Sequence, residues 1–337
     1  MTPLTTVGRP AAEPEPGAAA ARGEQAGRVL QQYGAPIVLL LVAAVGAVVF
    51  DGFASGANLA NLAASSSFLA IIAVGMTFVI ISGGIDLSVG SQFALGGVLA
   101  AWASQYGWAA ALALPLAVCG AIGLAQGAII ARTGMAPFIV TLAGLLGARG
   151  LMLAISNEGA ETYLVESDAF AKLGQGTFLG LSYPVYITLA LFVLGGLALQ
   201  RGRFGQRVYA VGGSEDAARL MGVPVARTKI QVYLLTGLLA GLAGALNAAR
   251  LSSGVTILGA GMELDVIAGV VIGGTLLTGG AGALSGTLAG VLLLGVIQNI
   301  INQIGSLTSA YQQVVSGTFL AVVVVVQRYL SRVQRLT

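Results

Sequence analysis

The sequence contains no histidine, a single cysteine and only two lysines among its 337 residues. The lack of histidine excludes a Ser-His-Asp triad, a Cys-His pair and any histidine-based metal site. Cys119 stands alone in an apolar run, so no intrachain disulfide can form, and we expect a small buried hydrophobic side chain. Neither Lys172 nor Lys229 lies in a GK[ST] sequence, so the chain has no P-loop. Any nucleotide that drives this protein must therefore bind another chain.

Charged residues are also scarce, at 9% of the chain, whereas 56% of the residues are hydrophobic. A soluble domain carries about 25% charged residues. So few charges cannot cover a water-facing surface, and the chain is therefore predicted to lie in a lipid bilayer. The net charge of +3 is concentrated in a few loops and tails. This distribution indicates membrane topology and gives no sign of a nucleic-acid partner.

Ten apolar stretches predict an all-α membrane protein with about ten transmembrane helices. The stretches are 36–50, 61–81, 87–103, 108–131, 136–156, 183–200, 230–249, 264–279, 282–303 and 309–327. The third and eighth are short against the ~20 residues that a crossing helix needs. Residues 1–35 are rich in Ala, Pro, Gly and Glu, which predicts a disordered cytoplasmic tail before a transmembrane domain at 36–330. The sequence assigns no function to this tail.

The arginines predict the orientation of the chain. The loop 201–229 is strongly basic, and Arg328, Arg332 and Arg335 follow the last span, so both segments are expected on the cytoplasmic side. The loop 157–182 is acidic and is expected outside. The number of predicted crossings agrees with this assignment and places both termini in the cytoplasm.

A motif occurs twice in the chain. The segment 82–97 reads SGGIDLSVGSQFALGG, and the segment 259–274 reads GAGMELDVIAGVVIGG, with the shared pattern G-[IM]-[DE]-L-[SD]-V-x6-G-G. By the predicted crossings the two copies begin on opposite sides of the membrane. This arrangement is typical of a 5+5 inverted repeat, here about 36–156 and 183–327, with short broken helices near the motifs.

The motif copies carry the acidic residues of the apolar region. Asp86 and Ser88 of the first copy match Glu263 and Asp265 of the second. A carboxylate deep in hydrocarbon costs about 2.5–3.5 kcal/mol on insertion scales, so these side chains should face the bundle interior or a wet cavity. They are candidates for lining or gating a transport pathway. The alternative is structural, because a carboxylate also caps and stabilises a helix N-terminus.

Three long stretches carry a resemblance to a known family. AVGMTFVIISGGIDLSVGS, RFGQRVYAVGGSEDAARLMG and ELDVIAGVVIGGTLLTGG closely resemble the membrane permeases of bacterial ABC importers for ribose and related monosaccharides. The resemblance covers residues 60–327. Within that family, IIAVGMTFVIISGGIDLSVGS and PFIVTLAGLLGARG are most similar to the galactofuranose permeases.

The resemblance implies a multi-pass permease of the bacterial inner membrane that has no enzymatic activity and needs no cofactor of its own. It implies several partners besides membrane lipid: a second permease subunit, which makes a homo- or heterodimer, two cytoplasmic ATPase subunits that bind ATP and Mg²⁺, and an external sugar-binding protein. The sequence leaves the sugar unnamed.

Such an importer needs a mechanical contact with its ATPase, and the basic loop 201–229 offers one. Residues 214–222, SEDAARLMG, predict a helix of about two turns that Ser214 caps and Gly222 ends. So short a helix is stable only when it is docked. The predicted coupling residues are Arg207, Glu215, Asp216, Arg219, Leu220, Met221 and Gly222. The alternative is a solvated loop helix without a partner.

Polar side chains in the apolar spans are candidates for the sugar pathway. They include Asn61, Gln298 and Asn302, and the last two share a helix face at i, i+4 spacing. Interhelical hydrogen bonds are an equally good account of each. An ion-coupled secondary transporter, which also uses inverted repeats and buried acids, is the alternative function. It would not need the long basic loop with a docking helix.

Overall fold

The computed structural model describes residues 18–304 and the isolated positions 311, 314, 317, 318, 321 and 325, with side chains from residue 34 onward. Within these residues the chain forms twelve α-helices. They are α1 (Ala18–Val49), α2 (Gly56–Ile81), α3 (Val89–Ala103), α4 (Trp108–Thr133), α5 (Pro137–Ile155), α6 (Asp168–Gln175), α7 (Tyr183–Gln200), α8 (Arg203–Gly213), α9 (Glu215–Leu220), α10 (Val225–Leu251), α11 (Met262–Ile272) and α12 (Leu284–Ile304). Most of the predicted span 309–327 and the arginines at 328, 332 and 335 lie outside the described residues.

Six of these helices are long and apolar enough to cross a membrane: α2, α4, α5, α7, α10 and α12. Each coincides with a predicted span. The prediction of a multi-pass α-helical membrane protein is therefore confirmed. Outside the helices, the described residues add one small hairpin, in which β1 (Thr177–Phe178) pairs antiparallel with β2 (Leu181–Ser182).

The first helix begins earlier than the composition predicts. Residues 34–49 are an apolar helix, but α1 starts at Ala18, inside the segment expected to be a disordered tail. Four consecutive alanines, 18–21, open the helix, and alanine has the highest intrinsic helix propensity. Helix α1 therefore runs across residue 35, and the division into a tail at 1–35 and a transmembrane domain at 36–330 stays a prediction.

The two helices that carry the repeated motif are short. Helix α3 has 15 residues and α11 has 11, which correspond to about 22 and 16 Å. Both are shorter than the ~30 Å hydrocarbon core. The predicted eighth span, 264–279, is wrong at its end, because the helix stops at Ile272. The sequence GGTLLTGG follows, and Gly274 and Gly279 take a left-handed conformation that a helix cannot contain.

Helices α2 and α10 form the centre of the molecule. Their apolar stretches are 89% and 72% buried, against 22–28% for α4, α5 and α7. Helix α10 packs along α4, α3 and α2, and the core between them includes Ile71, Met76 and Val232. Helices α4, α5 and α7 expose apolar side chains on their outer faces and form the periphery of the molecule.

The two ends of the molecule carry different short elements. At one end, called here the α6 end, Ser167 caps α6 and the buried Phe170 anchors it. Gln175 of α6 donates through Nε2 to the carbonyl oxygen of Ala249 at 3.2 Å and to Ser252 Oγ at 2.7 Å, which ties α6 to the end of α10. The opposite end, the α9 end, carries α8 and α9 and includes the basic segment.

Candidate functional site

The structure brings the two copies of the motif into contact. Helix α3 begins at Val89 and α11 begins at Met262. A Cβ atom built on Gly90 would overlap both the carbonyl oxygen of Gly259 and Oε2 of Glu263. Only a glycine permits this approach of the two backbones. We call the contact of Gly90 with Gly259 and Glu263 the helix-start contact.

The helix-start contact lies at the level of the middle of α10. Gln92, in the first turn of α3, lies against Gly237, near the middle of α10. From this level α3 runs to the α6 end, where Ser104 Oγ accepts from the backbone N–H of Glu166 at 2.9 Å. The segment after α11 reaches the α9 end, where Gly280 N donates to the Ile81 carbonyl. The two helices therefore diverge from a shared central level.

Asp86 holds the turn that leads into α3. Its Oδ1 accepts from the backbone N–H of Ser88 at 2.9 Å and from Ser88 Oγ at 2.5 Å, and the residue has no exposed surface. Ser88 occupies the N-cap position of α3. The predicted alternative, in which Asp86 itself caps the helix, is therefore wrong by two residues. Asp86 shapes the turn before the cap, because a short Asp side chain readily binds the N–H two residues ahead.

Ser88 is the centre of a buried polar network. Gln92 Nε2 and Gln126 Nε2 both donate to Ser88 Oγ, at 2.7 and 3.0 Å. In the same region Tyr233 donates through its hydroxyl to the carbonyl oxygen of Ile85 at 3.3 Å. The network therefore joins the start of α3 to α4, while Tyr233 joins the turn to α10.

Two oxygens of this network have no hydrogen-bond partner in the structure, Oδ2 of Asp86 and Oε1 of Gln92. Buried polar atoms are normally paired, so two unpaired acceptors in one cluster make it a candidate functional site. The sequence reasoning missed Gln92 and Gln126. The available signal was an amide inside each of two otherwise apolar spans.

The second copy of the motif has a different local structure. Glu263 and Asp265 lie inside the first turn of α11, where the helix dipole stabilises negative charge. Both side chains are partly buried. Asp86 precedes its helix, whereas its counterpart Glu263 is the second residue of α11, so the repeat is preserved in sequence but not in local conformation.

The other predicted pathway residues lie away from the helix-start contact. Gln298 Nε2 donates to Asn302 Oδ1 at 2.8 Å, as the i, i+4 spacing predicts. Asn58 and Asn299, nearby on α2 and α12, form a reciprocal amide pair at 2.9 and 3.1 Å. Asn61 is exposed on α2. These amides line the start of α2 and the end of α12, whereas the Asp86 turn follows the opposite end of α2.

The predicted coupling helix is present as α9. Ser214 Oγ accepts from the backbone N–H of Ala217 at 3.3 Å, and Gly222 ends the helix with a φ of 78°. Ala218 is fully buried and anchors α9, whereas Leu220 is 90% and Met221 is 73% exposed. The helix therefore presents two apolar side chains to its surroundings.

One ion pair joins α9 to α10, and a second lies within α9. Glu215 accepts from Lys229 Nζ at 2.6 Å and from Arg219 at 3.0 Å. Lys229 is only 17% exposed, so its pair with Glu215 is the better shielded of the two. Arg207 on α8 is half-buried, and Asp216 is exposed.

Among the described residues, no three His, Cys, Asp or Glu side chains are grouped to hold a metal ion.

Six helices long and apolar enough to cross a membrane, a buried polar network and a short exposed helix are features of a multi-pass membrane protein. Residues 58–324 match the family model described as "Branched-chain amino acid transport system / permease component". The chain belongs to this family of permeases and is not an enzyme.

Similar proteins cover nearly the whole chain. It is 40% identical over 302 residues to the ribose import permease protein RbsC of Bacillus subtilis (strain 168), across 89% of this chain and 94% of that protein. It is 42% identical over 287 residues to the inner membrane ABC transporter permease protein YjfF of Escherichia coli (strain K12), across 84% and 87%. It is 37% identical over 321 residues to the L-arabinose ABC transporter permease protein AraH of Azospirillum brasilense, across 94% of each.

No solved structure matches the chain. The family recognised from the sequence, the permeases of ABC importers for ribose and related monosaccharides, is confirmed by these relatives.

Proposed function

We propose that this chain is the permease subunit of an ABC importer that takes up a monosaccharide similar to ribose or arabinose. The observation that carries the proposal is the similarity over the whole chain to permeases named for ribose and L-arabinose. The description of the family model mentions amino-acid transport. Of the relatives quoted above, however, the two whose names include a substrate are named for a pentose, either ribose or L-arabinose. A neutral sugar also suits the amide-rich end of α2 and α12, because amides both donate to and accept from hydroxyl groups.

The energy source of this importer is a separate ATPase, which binds ATP and Mg²⁺ and docks on α9. Leu220 and Met221 support this docking, because both are apolar and exposed on an anchored helix. Burying an aliphatic side chain of this size contributes about 1.5–3 kcal/mol. The anchoring by Ala218 and Glu215 reduces the ordering cost of docking.

The complete chain, in this proposal, has ten transmembrane helices in a 5+5 inverted repeat. Supporting this, α3 and α11 start side by side and run apart toward opposite ends. The tenth helix would be 309–327, and the cytoplasm would contain both termini and the coupling segment 201–229. The assembly would contain two permeases in the bacterial inner membrane, and an external sugar-binding protein would dock at the α6 end.

In the proposed pathway, the polar residues of the two motif copies control passage of the sugar through the centre of the protein. They are Asp86, Ser88, Glu263 and Asp265. Asp86 is enclosed and bonded to Ser88, so it acts by holding the start of α3 rather than by touching sugar. Asn61, Gln298 and Asn302 would bind sugar hydroxyl groups at the α6 end. Weak, exchangeable hydrogen bonds suit a pathway that must also release its cargo.

The test is uptake of radiolabelled ribose, L-arabinose and galactose by cells that lack the gene, carry it, or carry the Leu220→Ser/Met221→Ser variant. We expect uptake of at least one sugar with the intact gene and little with the variant. Uptake should persist when a protonophore collapses the proton gradient while ATP is maintained. Uptake that stops with the gradient would instead indicate a secondary transporter, and equal uptake by all three strains would refute the proposal.

A further inference from the structure

The last turn of α8 lies between the end of α2 and the segment that follows α11. A Cβ atom built on Gly212 would overlap the carbonyl oxygen of Ile81, the last residue of α2, and would lie 2.6 Å from the backbone nitrogen of Gly280. Gly280 N donates to that same carbonyl at 2.9 Å. Three backbone segments therefore meet at Gly212 with no side chain between them.

A hydrogen bond adds a second link from α8. The hydroxyl of Tyr209 donates to the carbonyl oxygen of Gly282 at 2.7 Å. Burial raises the pKa of this hydroxyl above its ordinary value, so it stays protonated and donates at neutral pH. Gly282 belongs to the segment that follows α11. Helix α8 is thus bonded to that segment and in direct contact with the residue that precedes the Asp86 turn.

Helix α8 also connects directly to the coupling helix. Only Ser214 separates α8 from α9. Val208 and Val211 are buried, and the ring of Phe204 stacks on Phe78 of α2 with centroids 5.5 Å apart. The helix is therefore held along its length, and a displacement of α9 must move α8 or bend the single residue between them.

We propose that α8 transmits the movement of α9 to the end of α2, which leads into the Asp86 turn, and to the segment that follows α11, with Gly212 and Tyr209 as its positioning residues. The inference rests on the proposed function, because it presumes an ATPase docked on α9. Contact between backbones transmits a displacement, since no side-chain rotamer can change to absorb it. Through Gly212 the helix pushes on the end of α2, and through Tyr209 it pulls on the segment after α11. One movement therefore reaches the residue that precedes the first copy of the motif and the segment that follows the second copy.

The test compares two adjacent glycines in the complete transporter, reconstituted in proteoliposomes with its ATPase subunits and sugar-binding protein. The quantity measured is ATP hydrolysed per sugar taken up. Gly212→Ala should raise this ratio about tenfold or more, because an added methyl group forces the packed backbones apart. Gly213→Ala is the matched control, since a Cβ there meets nothing within 4 Å, and it should leave the ratio unchanged.

A third variant keeps the test valid if Gly212→Ala fails to assemble. Tyr209→Phe retains the ring and removes only the hydroxyl. The ratio should therefore rise about two- to tenfold, which corresponds to the net contribution of one hydrogen bond. A ratio that stays at the wild-type value in both Gly212→Ala and Tyr209→Phe would overturn the proposal. An equal fall of ATP hydrolysis and sugar uptake would also overturn it, because hydrolysis would then still be coupled to uptake.

A separate readout distinguishes this inference from the proposed function. Spin labels at Ala217→Cys on α9 and Leu264→Cys on α11, both exposed positions, report their separation with and without ATP. The ATP-dependent change should vanish in Gly212→Ala and persist in Gly213→Ala. If the wild-type complex hydrolyses ATP but takes up no sugar, the proposed substrate is wrong, and this distance still decides the role of α8.

Discussion

Glu263 lies against Gly90, although the two residues belong to different copies of the repeated motif. The contact places the start of α11 beside the start of α3, at the level of the middle of α10. Two helix N-termini, each with partial positive charge, and the acids of both motifs therefore occupy one region. The arrangement concentrates charge in the interior of a protein that otherwise avoids it.

The first prediction concerns the close approach at Gly90. Gly90→Ala should destabilise the permease by about 1–3 kcal/mol, because the methyl group would overlap the Gly259 carbonyl oxygen. The measurement is the fraction of protein that remains monodisperse after heating. Gly147→Ala in α5 is the control, since a Cβ there contacts nothing. Equal thermal loss in the two variants would show that the helix starts are farther apart than described.

The second prediction separates hydrogen bonding from charge at Asp86. Asp86→Asn should keep uptake within about twofold, because an amide oxygen accepts the same bonds from Ser88. Asp86→Ala leaves the buried N–H of Ser88 unpaired and should cost about 1–3 kcal/mol of stability. Uptake is measured per folded permease in each case. Loss of uptake in well-folded Asp86→Asn would show that the negative charge itself is required.

The third prediction concerns docking of the ATPase on α9. Leu220→Ser/Met221→Ser removes two exposed apolar side chains, so folding should be unchanged and ATPase binding should weaken at least about tenfold. Copurification of the ATPase with the permease measures binding. Ala217→Ser, an exposed change on the same helix, is the control and should copurify normally. Normal copurification of the double variant would place the docking surface elsewhere.

The fourth prediction concerns orientation. Single cysteines at Glu161 and Asp216, in a Cys119→Ser background, are exposed and lie at the α6 end and the α9 end. A membrane-impermeant maleimide added to intact spheroplasts should label the cysteine at 161, and the one at 216 only after permeabilisation. Labelling of both positions in intact spheroplasts would contradict the positive-inside assignment.

Local signals in the sequence predicted several elements well. Serine at 214 and glycine at 222 predict the limits of α9, because capping and left-handed termination depend only on nearby residues. The short spans around both motifs were likewise recognised from their length. The eighth span was predicted too long, since apolar Leu276 and Leu277 hid the helix-breaking effect of the glycines around them.

Contacts between distant segments could not be predicted in this way. The spacing of the motif predicts a repeat, but it does not show that Gly90 touches Glu263. Gln92 reaches Ser88 by local i, i+4 spacing, but only the packing of α3 against α4 brings the amide of Gln126 to the same hydroxyl. The predicted pathway residues also divide into two groups, one at the helix-start contact and one at the start of α2 and the end of α12. Polarity alone could not predict this division, because it depends on how the helices pack.

The length of α10 has a consequence for what surrounds the ATPase. Its 27 residues extend about 40 Å, whereas the hydrocarbon core is ~30 Å thick. Part of the helix therefore stands above the lipid, and Lys229, four residues from its start, is in that part. Because Lys229 pairs with Glu215, this end of α10 holds α9 outside the hydrocarbon core. A change in bilayer thickness should therefore change the distance between α9 and the lipid surface before it affects the turn at Asp86.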